Sequence, residues 1–182
     1  MATDSNKVLV GAAVVSVGAY VTAAGAGTLT DVGHTKSPVT LAPNVQVFDV
    51  KSERAFGTIK KVPLDMELKL KIPYLECTAE ALRTAMRQPS GNVSGSGVNL
   101  TVRVGDPKEQ YHQIQIVGPG PSGGTAAATR TITFWKCIVD SVAEIPFAKG
   151  DSSVYEVVFA ILYDDSVSAA DKFFKQVDSG GS

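Results

Sequence analysis

The segment "PLDMELKLKI", Pro63–Ile72, decides the fold. Leu64, Met66, Leu68, Leu70 and Ile72 fall at every second position, and Asp65, Glu67, Lys69 and Lys71 fill the positions between them. A helix turning once in about 3.6 residues would scatter these charges round its axis, whereas a strand sends successive side chains to opposite faces. The expected element is a strand with an apolar face against a sheet packed behind it and a charged face in water. A one-residue slip would bury the charges, so the register is strongly specified.

Working outward, further β-rich runs lie between turn-forming stretches. "NVQVFDV" (44–50), "VNLTVRV" (98–104) and "YHQIQIV" (111–117) alternate, and "RTITFWKCIVD" (130–140) and "SVYEVVFAILYDD" (153–165) are rich in Thr, Val, Ile and aromatics. Glycine, proline and small polar residues mark loops at 33–38, 88–97, 105–110 and 118–124. "TAEALRTAMRQ", Thr78–Gln88, reads as a helix. Thr78 is the cap candidate, Glu80 suits the positive end of the dipole, Arg83 and Arg87 suit the other end, and Pro89 and Gly91 stop it. Leu82, Ala85 and Met86 form its expected apolar stripe, packed on the sheet edge. The fold class is mainly β: an antiparallel β-sandwich or barrel with one flanking α-helix.

The opening stretch "NKVLVGAAVVSVGAYVTAAGAGTL" (6–29) admits three readings. A basic residue, an apolar run and small residues loosely satisfy a secretory signal. Glycines and polar residues interrupt the run too often for a membrane helix. Val8, Val10, Ala12 and Val14 alternate with Leu9, Gly11 and Ala13, which favours an N-terminal strand or arm over residues 1–30. A β domain over 31–165 and a C-terminal tail over 166–182 complete the expected organisation.

The 182 residues carry a net charge of −1 and are 44% hydrophobic, a globular composition with no basic excess for gripping nucleic acid. Cys77 and Cys137 are too few for a disulfide framework. His34 and His112 stand at no metal-ligand spacing, so no metal or cofactor is expected. "GPGPSGG" lacks the lysine and hydroxyl residue of a phosphate loop, and no GxSxG elbow occurs. Asp65 and Glu67 could pair as catalytic acids, but Lys69 and Lys71 on the same face make a solvated charged wall the better reading. Nothing here argues for an enzyme.

The order of features is more informative. "KVLVGAAVVSVGAYV" leads into "LTDVGHTKSPVTL", the strand "NVQVFDV", the polar linker "KSERAFGTIKK", the strand "PLDMELKLKI" and the helix "TAEALRTAM". This order resembles the tail tube proteins, or major tail proteins, of long-tailed, siphovirus-like bacteriophages. "VGHTKSPVTLAPNVQVFDV" and "LKIPYLECTAEALRTAM" carry the likeness, which spans residues 8–90 and extends to 125–165 only as compatible strands. His34 departs from it, standing where the family often has an aromatic.

The resemblance implies a virion structural protein, assembled in the host cytoplasm as stacked hexameric rings. Strands of each subunit would join an inter-subunit β-barrel around a tape-measure protein. Tail terminator and baseplate proteins would be further partners, and DNA would transit the lumen without specific binding. On this reading Asp65, Glu67, Lys69 and Lys71 face the lumen. The rival reading is a secreted β-sandwich binding module with a cleaved N-terminal signal.

The linker "KSERAFGTIKK" (51–61) is longer than a tight hairpin needs and sets Arg54 and Phe56, typical interface anchors, in a polar loop. The resemblance places an inter-ring contact there. Arg54→Ala combined with Phe56→Ala is expected to leave a folded subunit by circular dichroism that no longer forms tubes by negative-stain microscopy. Normal tubes from the double variant would move the contact elsewhere.

Overall fold

β-Branched and aromatic residues dominate the runs that become strands, and the chain is mainly β. The computed structural model describes residues 13–22, 25, 27–35, 38–51, 58–75, 78–96, 99–120, 128–142 and 155–179. In chain order the elements are β1 (Val14–Ala19), β2 (Leu29–Asp31), β3 (Thr40–Lys51), β4 (Thr58–Tyr74), α1 (Ala79–Ala85), β5 (Val93–Ser96), β6 (Asn99–Val102), β7 (Tyr111–Pro119), β8 (Thr129–Val142), β9 (Tyr155–Ile161) and β10 (Phe174–Ser179).

One antiparallel sheet runs β2-β1-β7-β8-β9-β4-β3, while β5 and β6 form a separate hairpin. β10 pairs with residues 129–134 of β8, beyond the stretch of β8 that pairs with β9. The stretch expected as a C-terminal tail thus supplies a strand. Residues 29–51 touch both ends of the sheet. β2 pairs with β1, Thr35 bridges Tyr74, the Leu75 amide donates to the His34 carbonyl at 3.0 Å, and β3 pairs with β4. The sheet therefore curls round one core.

That core takes alternate residues from each inner strand, as a half-buried strand dictates. Leu68, Leu70 and Ile72 of β4 meet Val157, Phe159 and Ile161 of β9, with Ile114, Phe134, Cys137 and Val139 beside them. Tyr74 and Tyr155 stack at 5.3 Å, both fully buried. β1 belongs to this core: Val15 is buried, and β1 lies between β2 and β7.

The helix is shorter than expected and rotated. Thr78 caps it, its hydroxyl accepting from the Ala81 amide at 3.1 Å. Its buried residues are Ala81, Thr84 and Ala85, whereas Leu82 and Met86, expected in the stripe, are only half-buried. The difference lies in the neighbours: α1 packs against the β5–β6 hairpin as well as β8, so two surfaces share its apolar side. The helix ends with the Arg87 amide on the Thr84 carbonyl and the Gln88 amide on the Arg83 carbonyl, and Arg87 is left-handed at φ 53°. The segment 88–97, expected as a loop, contains β5. It is held by buried Gln88, whose amide group bonds Gly105, Asn92 and the Met86 carbonyl.

His112 sits in β7 opposite Cys137, its ring edge-on to Phe159. Its Nε2 is buried without a hydrogen-bond partner among the described residues. Burial, and then the nearby Arg83 charge, lower its pKa to about 4.

Two outcomes are expected. Leu68→Asp places an unpaired carboxylate in the core, costing about 5 kcal/mol or more, a large share of a domain's stability, and should abolish soluble folded protein. Glu67→Gln, on the wet face, should shift a urea midpoint by less than about 0.5 kcal/mol equivalent. Equal solubility of the two variants would contradict this placement. The second outcome concerns pH. The unfolded chain takes a proton on His112 below about 6.5, whereas the folded chain takes it only near 4. The associated stability is complete above pH 6.5, falls between 6.5 and 4, and totals on the order of 3 kcal/mol. His112→Gln should flatten urea stability across that window relative to wild type; an identical slope in both would remove His112 as the cause.

Candidate functional site

Several residues able to do chemistry serve the structure. His112 is buried and neutral, and burial pushes the Cys137 thiol far above its ordinary range. Among the described residues no group of three His, Cys, Asp or Glu side chains could hold a metal. A cleft of about 640 Å³ lies between β1, β2, α1 and the start of β7, but its one guanidinium is committed. Arg83 bonds Glu80 at 2.7 Å and the Gln88 carbonyl at 2.7 Å, fastening the helix end.

Buried Asp164 is similarly committed. Its Oδ1 accepts from the Tyr20 hydroxyl at 3.1 Å and from the Ser166 amide and hydroxyl at 2.9 and 2.6 Å. Burial alone would raise its pKa, but the Ser166 and Tyr20 bonds and the Lys136 charge outweigh that and lower it. Lys136 in turn lies 4.3 Å above the Tyr111 ring. This cluster ties the end of β1 to the link between β9 and β10.

What stands out is β4 itself. β9 ends at Ile161, opposite Leu68, so, among the described residues, 58–67 of β4 have no strand on that side and continue paired with β3 alone. A two-stranded ribbon therefore projects from the sheet. Leu64 and Met66, expected against a sheet packed behind, are 66% and 38% exposed. The alternation is real, but the layer behind it stops at Leu68. Along the ribbon stem the cross-strand pairs Leu41–Leu70, Pro43–Leu68 and Val45–Met66 share one face, which prolongs the core face into solvent. The pairs Thr40–Lys71, Ala42–Lys69, Asn44–Glu67 and Gln46–Asp65 share the other.

On that polar face Glu67, Lys69 and Lys71 join a charge ladder that reaches β8 and β9. Lys69 Nζ lies 3.1 Å from Glu67 and 3.0 Å from Asp140, and Lys71 Nζ lies 2.7 Å from Glu156. The bonds to Asp140 and then Glu67 raise the Lys69 pKa. Asp140 is the bulged residue between Val139 and Ser141 of β8, which brings its carboxylate to β4. Asp65 lies further out, its carboxylate accepting from the Met66 amide at 2.8 Å.

The ends of the expected linker 51–61 are strand, since β3 runs to Lys51 and β4 begins at Thr58, and residues 52–57 lie outside the described residues. Arg54 and Phe56 lie outside the described residues. Sequence reasoning missed Phe48, 57% exposed near the ribbon tip. Its signal was the adjacency of Val47 and Phe48, which breaks the alternation of "NVQVFDV". No protein-family model matches the chain, and no curated protein is significantly similar to it.

Proposed function

We propose that this chain is a structural subunit that polymerises through the β3–β4 ribbon, as the tail tube protein of a long-tailed bacteriophage. The observation that carries the reading is a projecting two-stranded ribbon with an uncovered apolar face. Such a ribbon is marginally stable alone in water and is held when a third surface covers it. Leu41, Val45, Val47, Phe48, Ile59, Leu64 and Met66 are all exposed on it. Taking about 150–200 Å² per large side chain, they present on the order of 600 Å² of apolar surface, close to the ~800 Å² each partner gives to a standard interface.

Apolar surface on this scale is at the upper end of what a monomer exposes, and a neighbouring copy supplies an identical, constantly available cover. In the proposed ring, the stems of six ribbons line a hollow conduit. Their stem faces turn outward onto neighbouring subunits. Asp65, Glu67, Lys69 and Lys71 turn to the lumen, where balanced charges let DNA slide without being held. The tape-measure protein occupies that lumen during assembly, and terminator and baseplate proteins close the ends. The rival secreted module would lose roughly 20–30 residues with its signal. That cut would remove β1, with buried Val15, from between β2 and β7.

Purified wild type is expected to form rings or tubes by negative-stain microscopy. Leu64→Thr with Met66→Thr keeps strand propensity while removing the apolar stem, and should lower assembly at least tenfold in protein concentration, read by light scattering. A wild type that stays monomeric at high concentration would refute the proposal.

A further inference from the structure

The ribbon does not keep one apolar face along its length. Between Gln46 and Val47 the register shifts, so that Val47 pairs with Pro63 and Leu64 is the extra residue of a bulge in β4. Beyond it, Phe48 pairs with Val62, Asp49 with Lys61 and Val50 with Lys60. Side chains alternate regularly along unbulged β3, so Phe48 and Val50 fall on the face that carries Asn44 and Gln46 in the stem. Asp49 falls on the face that carries Leu41 and Val45. The bulge turns β4 to match: Val62 joins Phe48, and Lys61 joins Asp49, with Nζ and Oδ1 3.6 Å apart. Apolar and charged faces therefore exchange sides at the bulge.

No single flat surface suits such a ribbon. A partner laid along the whole stem-apolar face would cover Asp49 and Lys61, and one laid along the opposite face would cover Asp65, Glu67 and Lys69. Both would desolvate charges that the ribbon pairs only with one another or with the subunit body. Resting on the self-assembly reading, we infer that the ribbon is gripped from opposite sides by two different copies of this chain. One copy covers the stem at Val45, Leu64 and Met66, and another covers the tip at Phe48 and Val62. Second and third copies are the occupants because the stem patch continues the subunit's own core face, and because stem and tip lie on opposite faces that one copy does not reach together. Phe48 is the tip anchor, a large aromatic more than half exposed in the single chain. The bulge is thus the device that makes one hairpin serve two contacts, and a closed pair of copies leaves one of them unfilled.

The test compares full-length wild type, a stem variant (Leu64→Thr, Met66→Thr), a tip variant (Phe48→Thr, Val62→Thr) and the variant carrying all four changes. Circular dichroism first confirms the native β spectrum; threonine keeps strand propensity. Sedimentation velocity then reads the species formed. Each two-site variant should stop at a finite oligomer, the two oligomers should differ in size, and the four-site variant should be monomeric. If wild type assembles and the tip variant assembles equally well, the tip contact does not exist. If stem and tip variants both fall to the same monomer, one partner covers both patches and the two-sided grip is overturned while self-assembly stands. A monomeric wild type would instead overturn the self-assembly reading and this inference with it.

Discussion

Everything distinctive about this chain follows from a mismatch of strand lengths. β4 runs from Thr58 to Tyr74, but β9 supports it only from Leu68 onward. The unsupported half still has a partner in β3, so its backbone groups on that side are paired and the ribbon can extend. Among the described residues, what it lacks is a second layer. Hydrophobic stabilisation needs apolar area removed from water on both sides of a contact, and Leu64 and Met66 have only one side. Burial that is complete at Leu68, Leu70 and Ile72 gives way within one pair of residues to exposure.

The body is built to bear such a lever. The root of the ribbon is fixed by three buried residues of β4 against three of β9, with Tyr74 stacked on Tyr155 just beyond. Polar groups that could have been reactive serve as fasteners around this root. Gln88 binds the helix end to the 105 loop, Arg87 reaches the carbonyls of Val139 and Asp140, and Asp164 binds Tyr20. Each satisfies buried donors or acceptors that would otherwise cost about 1–3 kcal/mol apiece. These fasteners hold the body firm around the ribbon's root.

The sequence made the sidedness of 63–72 legible but not the depth behind it. A period of two states which residues share a face; it carries no information on where the neighbouring strand ends, because that depends on the length of β9, ninety residues away. The helix was legible in its cap and its stop, yet its stripe turned by one residue because the β5–β6 hairpin competes for the same side. That hairpin was hidden because Ser and Gly in "NVSGSG" read as turn chemistry, whereas pairing of Val93 with Val102 and Ser94 with Thr101 draws the segment into a strand. The exchange of faces at the ribbon tip was half legible. Val47 beside Phe48 breaks the alternation on β3, but Val62 keeps the parity of Leu64 in sequence, and only the bulge moves it to the other face.

The outer edge of β3 bears on why such a ribbon persists. Bare edges invite pairing with other chains, and soluble proteins usually guard them with lysines, prolines or inward charges. From Thr40 to Phe48 this edge carries no charged residue, and its guards there are Pro43 and the bulge opposite Val47, with Asp49, a second register shift and Lys51 only at the tip end. A net charge of −1 adds little repulsion between copies. In a monomeric protein these choices would be liabilities of the kind that selection removes, and a single Lys at Val45 or Val47 would remove them. The two guards that are present do not block pairing along the whole edge; they divide it, Pro43 interrupting donors near the body and the bulge twisting the strand beyond it. An edge divided in this way restricts the registers a neighbour can adopt, which is what an ordered polymer requires and a disordered aggregate lacks.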